Sequence, residues 1–425
     1  MPLAVDATAL QPSVGDQHHG PAQIPPSVSK PWSACTFLRR HDPVSGFCGT
    51  KFFRPPKDLF NIVSPTSFDV DGSAGSASVA SGNPIGERKR ILTGIRPTGP
   101  LHLGHYTGAL ENWVRLQNEY DCFFLIADYQ VSDYANDLPR VRNAVWEVVL
   151  DWLAVGLDPE RGSFVIESLV PEHAELTAWL GWFLSVRMLE RNPTLKAEME
   201  AIERPDDAKT RGKSVPVAFY IYPVMQVANI LLPRAHVVPA GADQLPHVEL
   251  TRETARRFNR EFKPIFPEPE ALVGRVPRLV GTDGNAKMSK SRGNTIDLKD
   301  SAATVARKVR GMYAGPPRGA NEPGTVEDNP VFLYLDVFDD DTALVRDLKE
   351  RYERSGVSNE ELKDRLTSVL EELLEPMRER RAQYERNMPL VREALEHGTN
   401  RSRVIAVETM EMVRDALDLN YLTKY

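Results

Sequence analysis

From Arg90 onward, short apolar runs alternate with longer stretches in which apolar residues recur every three or four positions. The short runs are Arg90-Ile-Leu-Thr-Gly94, Cys122-Phe-Phe-Leu-Ile-Ala127, Ser163-Phe-Val-Ile-Glu167 and His236-Val-Val-Pro239. Their length and their glycine, proline or polar ends predict buried strands. Between them, Leu103, Tyr106, Leu110, Trp113, Val114 and Leu116 fit one helix over 102–118. Val141, Val145, Val148, Val149 and Leu153 fit another over 138–156. Further helices are predicted over 172–190, over 222–232 with Pro223 in its first turn, and over 244–261. Short strands alternating with longer helices predict a doubly wound parallel α/β sheet.

The pattern changes near residue 300, after which only helical spacing remains. Ser358-Asn-Glu-Glu361 reads as a capping box opening a helix with Leu362, Leu366, Leu370 and Leu373 on its apolar face. Pro376 is expected to end or kink that helix, Gly398 to end a second, and 399–419 to form a third. Residues 1–87 have a different composition, with 30 Pro, Ser or Gly among them. Little there can pack, so a disordered extension is expected, with a transit peptide or a later start of translation as rival readings. The expected organisation is an extension over 1–87, a Rossmann-like α/β domain over 88–300 and a helical domain over 301–425.

Composition narrows the function classes. The chain has 425 residues, 52 Lys plus Arg against 59 Asp plus Glu, and a net charge of −7. Nucleic-acid binding by bulk positive charge is thereby excluded, though not a local basic patch. No apolar stretch is long enough to span a bilayer as a helix. Cys35, Cys48 and Cys122 form no CxxC pair and no metal-spaced cluster, so neither a disulfide framework nor a structural metal is expected. A reducing, cytoplasmic setting is the plain expectation.

Two segments carry the chemistry. Pro97-Thr-Gly-Pro-Leu-His-Leu-Gly-His105 follows a predicted strand and opens a predicted helix. In an open α/β sheet ligands bind there, at the carboxyl ends of the strands, with the helix N-terminus facing an anion. His102 and His105 share one face of the first turn, and Gly104 leaves room for a flat base or ribose. The second segment, Lys287-Met-Ser-Lys-Ser291, lies in a loop flanked by Gly281, Gly284 and Gly293. Its two lysines and two hydroxyls suit an anion clamp. Taken singly, the first could be a helix start with two surface histidines, and the second a solvated basic loop.

Together the two segments resemble the hallmark motifs of class I aminoacyl-tRNA synthetases. Gly94-Ile-Arg-Pro-Thr-Gly99, Tyr222-Pro-Val-Met-Gln-Val-Ala-Asn-Ile-Leu-Leu232, Val237-Val-Pro-Ala-Gly-Ala-Asp-Gln-Leu-Pro-His247 and Glu249-Leu-Thr-Arg-Glu-Thr-Ala-Arg-Arg-Phe-Asn259 are similar to the bacterial-type tryptophanyl group, over about residues 88–425. The resemblance implies that an amino-acid carboxylate attacks the α-phosphorus of ATP, giving an aminoacyl-adenylate and pyrophosphate, and that tRNA then takes the aminoacyl group. Since the nucleophile is already an anion, placement and charge neutralisation must carry catalysis.

By that resemblance His102 and His105 act on the reacting phosphate, and Lys287 and Lys290 hold the departing pyrophosphate with Mg²⁺. Arg96, Pro97, Thr98 and Gly104 would contact ATP. So would Gly241, Ala242, Asp243, Val276, Met288, Ser289 and Ser291. Arg96 and Ala242 depart from a Gln and a Glu common in the family. Tyr222, Gln226 and Gln244 match positions around the amino acid. Asn229 stands where most tryptophan enzymes carry an Asp that accepts the indole N–H. An amide carbonyl can still accept that bond, or Asn229 can be a polar residue satisfied within the fold. Replacing it by Asp is expected to keep or raise tryptophan use. The resemblance further implies a homodimer and an anticodon-reading helical tail.

Ligation of tyrosine, a catalytically silent paralogue acting as a binding protein, and a smaller nucleotidyltransferase are the competing readings. Trp146, Trp152 and Trp179 read as core. Arg378, Arg380 and Arg381 read as a solvated helix face or as contacts to tRNA phosphates.

Overall fold

The computed structural model describes residues 88–203, 216–274, 279–284, 288–315, 322–327 and 329–422. The expectations for 1–87 lie outside the described residues.

Five parallel strands form one sheet in the order β3-β2-β1-β4-β5. They are β1 (Arg90–Ile95), β2 (Asp121–Ile126), β3 (Gly162–Ile166), β4 (Val237–Ala240) and β5 (Glu270–Val273). The register runs Ile91 to Cys122 and Val237, Cys122 to Gly162, and Val237 to Glu270. Chain order reverses at β1, so the crevice at the carboxyl ends of β1 and β4 is the topological switch point. The edge strand β5 was not legible in the sequence, because its residues Glu270, Ala271 and Val273 are exposed and only Leu272 is half-buried.

The connecting helices are α1 (Leu103–His105), α2 (Glu111–Leu116), α3 (Leu138–Val155), α4 (Glu172–Leu180), α5 (Val186–Leu189), α6 (Pro193–Glu203), α7 (Val217–Leu231) and α8 (Leu245–Glu261). Side chains alternate across the strands, so both faces of the sheet are buried. Ile91, Phe124 and Phe164 enter one core with Trp113 and Trp152. Leu92, Phe123, Leu125 and Val165 enter the other with Leu176, Val227, Leu231 and Phe258. Trp152 is therefore core, in edge contact with Trp113 and Phe164. Trp146 is only half-buried, with the Arg392 guanidinium over its ring, and Trp179 packs edge-on against Trp182.

Several helices differ from expectation. The one predicted over 102–118 contains a π-helical turn at Tyr106–Leu110 between α1 and α2. The one predicted over 172–190 is divided into α4 and α5. Helix α7 begins at Val217, which puts Pro223 in its interior and removes the helical donor to the Phe219 carbonyl.

Beyond residue 300 come α9 (Ala302–Arg310), α10 (Pro330–Phe338), α11 (Thr342–Glu353), α12 (Asn359–Glu385) and α13 (Met388–Ala416). Ser358 caps α12 as read, accepting from the Glu361 N–H at 3.1 Å. Pro376 lies inside α12 without ending it, and Gly398 lies inside α13. Gly398 marks a close approach: a methyl there would overlap the backbone nitrogen and oxygen of Phe164 on β3. These helices share both cores with the sheet, through Leu362, Leu366 and Leu370 on one side and Ala406, Met410 and Val413 on the other. They do not stand off as a separate bundle.

Candidate active site at the carboxyl ends of the strands

The loop after β1 leads directly into the histidine segment. Gly99 in that loop adopts φ +135°, which only glycine takes without strain. Leu101 and Leu103 are fully buried and hold the segment on the core. The His102 backbone N–H donates to His105 Nδ1 at 3.2 Å. A neutral imidazole that accepts at Nδ1 carries its proton on Nε2, so His105 presents a donor on its far side. The two rings lie 3.8 Å apart at 45°. A methyl on Gly104 would stand 3.0 Å from His102 Nδ1 and 3.6 Å from Met288 Cβ, so the space beside Gly104 is set by the first histidine and the lysine loop.

The histidine segment pairs through backbone with residues 296–298, which follow the lysine segment. Leu103 N–H donates to the Ile296 carbonyl at 3.0 Å, and Leu298 N–H to the Leu101 carbonyl at 2.9 Å. His102 and Asp297 form an antiparallel bridge. Met288 is buried in the core, and Ser289 N–H donates to Asn294 Oδ1 at 2.7 Å. Asn294 Nδ2 in turn donates to both Asp283 oxygens at 3.1 Å. The loop is thus anchored on both sides of Lys290. Lys287 and Val276 lie outside the described residues.

Lys290 reaches back to the loop after β1, its Nζ donating to Thr98 Oγ1 at 3.4 Å. Thr98 and Lys290 line a cleft of about 490 Å³ with Arg140, Asn143, Glu147, Thr295 and Asp297. Burial lowers the Lys290 ammonium to about 8, against the attraction of Asp297 and Asp151. Burial pushes the Asp297 carboxyl up. Arg140, which was not singled out from the sequence, donates to the Thr98 carbonyl at 3.2 Å and lies over the Tyr134 ring at 4.5 Å. Arg96 pairs with Asp133, and Thr98 N–H donates to the Arg96 carbonyl across Pro97 at 2.9 Å.

The segment after β4 lies across the switch point. Gly241 accepts from the Gln244 N–H at 2.9 Å through a 3-10 turn at Ala242–Gln244. Thr194 Oγ1 donates to the Asp243 carbonyl at 2.9 Å. On α7, Gln226 Nε2 donates to Gln244 Oε1 at 3.2 Å, and the Tyr222 hydroxyl donates to Glu198 at 2.7 Å. One turn on, Asn229 is buried and its Nδ2 donates to Glu167 Oε1 at 2.6 Å. Glu167 follows β3 and was not singled out from the sequence; a carboxylate ending a buried strand was the only signal.

Of the arginines after Pro376, Arg381 has neither expected role. Arg381 is buried and pairs with Asp151 and with Glu147, the latter at 2.7 Å. Arg380 donates to the Ala154 carbonyl at 2.6 Å, and Arg378 pairs with Glu371 and Glu375. The Arg381 charge is thus compensated within the fold, on α3 and α12, while Arg378 and Arg380 stay half-buried.

The family model for class I tRNA synthetases (W and Y) matches residues 85–375. A tryptophan–tRNA ligase of Treponema pallidum is 46% identical over 335 residues, which is 78% of this chain and 97% of that protein. One of Chlamydia caviae is 42% identical over 342 residues, 79% of this chain and 97% of that protein. Among solved structures, tryptophanyl-tRNA synthetase from Campylobacter jejuni complexed with ADP and tryptophane aligns with TM-score 0.67 and 32% identity, covering 78% of this chain and all of that one. Tyrosyl-tRNA synthetase from Archaeoglobus fulgidus, at 24% identity and TM-score 0.53 over 69% of this chain and 91% of that one, shares the fold. The chain therefore belongs to the class I aminoacyl-tRNA synthetases of the tryptophan and tyrosine family, on its bacterial tryptophanyl branch.

Proposed function

We propose that this protein ligates tryptophan to its tRNA through an aminoacyl-adenylate, using ATP. The observation that carries this is the backbone pairing of the histidine segment with residues 296–298, just past the lysine segment, together with the Lys290 contact to Thr98. It puts Thr98 and Lys290 on one cleft, with His102 and His105 on the adjoining strand-to-helix turn. The ligases at 42–46% identity and the ADP and tryptophan complex support the same substrates.

In this reading the protein supplies charge and placement, and no general base is needed. His102 and His105 act on the α-phosphate, the latter through its Nε2 proton. Lys290 and Lys287 neutralise the departing pyrophosphate. Arg96, Pro97, Thr98, Gly104, Met288, Ser289 and Ser291 surround the phosphates. Gly241, Ala242, Asp243 and Val276 surround the nucleoside. Tyr222, Gln226, Asn229 and Gln244 hold the amino acid. Mg²⁺ would enter with ATP: among the described residues no group of three or more His, Cys, Asp or Glu could hold a metal, and phosphate oxygens with water suit this hard cation.

The helices after residue 300 are proposed to read tRNA. A homodimer fits the exposed apolar residues Trp182, Val186, Val217 and Ile221 around the packed helices α5 and α7. A cytoplasmic location goes with this function; no described helix is long and apolar enough to cross a membrane.

The test is ATP–pyrophosphate exchange with each amino acid, followed by charging of bulk tRNA. Tryptophan-dependent exchange and charging are expected. Exchange with tyrosine alone would establish the competing ligase, and exchange with none, in folded protein, the silent paralogue.

A further inference from the structure

Asn229 lies deep in α7, 2% exposed, and Glu167 beside it is fully buried. Besides the 2.6 Å bond from Asn229, Glu167 accepts from the Tyr129 N–H at 3.2 Å and from Gln130 Nε2 at 3.3 Å. These donors follow β2 and Glu167 follows β3, so the group lies at the carboxyl ends of the strands. Three donors converge on the Glu167 oxygens, which therefore accept, and this contact decides which way the amide faces. The NH₂ is turned to Glu167 and Oδ1 is turned away. Asn229 Oδ1 meets no donor in hydrogen-bonding geometry within the protein; the buried His173 lies near enough to interact with it, and neither of its ring nitrogens has another partner. A buried carbonyl oxygen of fixed direction is suited to an N–H donor brought in by a ligand.

We infer that Glu167 is the positioning residue for tryptophan selection: it holds the Asn229 amide so that Oδ1 accepts the indole N–H. The inference rests on the tryptophan reading above and deepens it. The negative charge that most tryptophan enzymes carry at position 229 resides here on the neighbouring strand end. This reverses the expectation for Asn229→Asp. That change would set a second carboxylate against Glu167, and two carboxylates at such a distance cannot both ionise. The exchanged pair, Asn229→Asp with Glu167→Gln, rebuilds the same arrangement, with the Gln NH₂ donating to Asp and the Asp free to accept from indole.

The experiment measures ATP–pyrophosphate exchange with tryptophan, tyrosine and β-(3-benzothienyl)alanine, in which sulfur replaces the indole N–H. Wild type, Glu167→Gln, Asn229→Asp and the double variant are compared, with thermal unfolding recorded for each. A site that accepts a donor discriminates against the analogue lacking it. Glu167→Gln is expected to lower the preference for tryptophan over the analogue by about tenfold, through KM for tryptophan and not for ATP. Asn229→Asp alone should lose at least as much, and the double variant should return to within about threefold of wild type. A folded Glu167→Gln protein with wild-type preference overturns the inference, as does a double variant no better than Asn229→Asp. Wild-type exchange with tyrosine and none with tryptophan overturns the substrate reading as well, whereas the first two outcomes leave that reading intact.

Discussion

The Arg381 guanidinium of α12 and the Asp151 carboxylate of α3 form a buried ion pair, and the other Asp151 oxygen accepts the Leu101 backbone N–H at 2.7 Å. Leu101 directly precedes His102, so one side chain ties the C-terminal helices to the histidine-bearing turn. Burial pushes the Asp151 carboxyl up to about 6 even with Arg381 favouring its charge. Removing the cation leaves a buried charge uncompensated. Arg381→Met should cost about 3–5 kcal/mol in urea unfolding. A loss within the range of a surface substitution would show that the pair does not hold the two regions together.

Glu167 makes stability depend on pH. Burial, set against its hydrogen bonds from Asn229 and Gln130, pushes its carboxyl up to about 7. A carboxyl raised in the folded state favours folding fully below its unfolded pKa, and that contribution is lost as pH rises through the folded value. Asp151 acts in the same direction, and His173, lowered by burial to about 3, in the opposite one. The comparison is therefore wild type against Glu167→Gln. The stability difference should move in favour of wild type by on the order of 2–3 kcal/mol between pH 8 and pH 5, read by urea unfolding at both. A difference independent of pH would mean that Glu167 titrates as an ordinary exposed carboxyl.

Lys290 should set an alkaline limit on nucleotide use. Its ammonium, lowered by burial to about 8, carries full charge only below that pH. Since kcat/KM reports groups of the free protein, kcat/KM for ATP should fall as pH rises past 8. Lys290→Arg keeps a charge throughout this range and should flatten the limb, at a lower plateau because the fork does not match the ammonium's geometry. An unchanged alkaline limb in the arginine variant would assign it to another group.

Gly398→Ala opposes two effects of known sign. Within a helix, alanine is favoured over glycine by about 1 kcal/mol. Here the added methyl meets the Phe164 backbone, which cannot move without disturbing β3. Overlap should win, with a net loss of about 2–3 kcal/mol in thermal or urea unfolding. A rise in Tm would place α13 further from the sheet than the structure has it.

Glu167→Gln and the exchanged pair also bear on how much of the site was readable from residues alone. Strand spacing along β1 to β4, the capping by Ser358 and the two hallmark segments were legible in the chain. Each depends on residues a few positions apart, where periodicity and local chemistry act directly. So was the family, because the motifs are short and contiguous. The course of α12 through Pro376, of α13 through Gly398 and of α7 around Pro223 was not. Burial against the sheet and neighbouring helices outweighs a local breaker there. Nor were the partners of the charged and amide groups legible. Arg381 meets Asp151 across 230 positions of chain, and Asn229 meets Glu167 across 62. Which polar groups are buried together is decided only when distant elements pack, since desolvation then forces each to find a partner. The sequence by itself thus determined the strands, the motif-bearing turns and the family; tertiary structure decided which way the Asn229 amide faces and where the compensating charge lies.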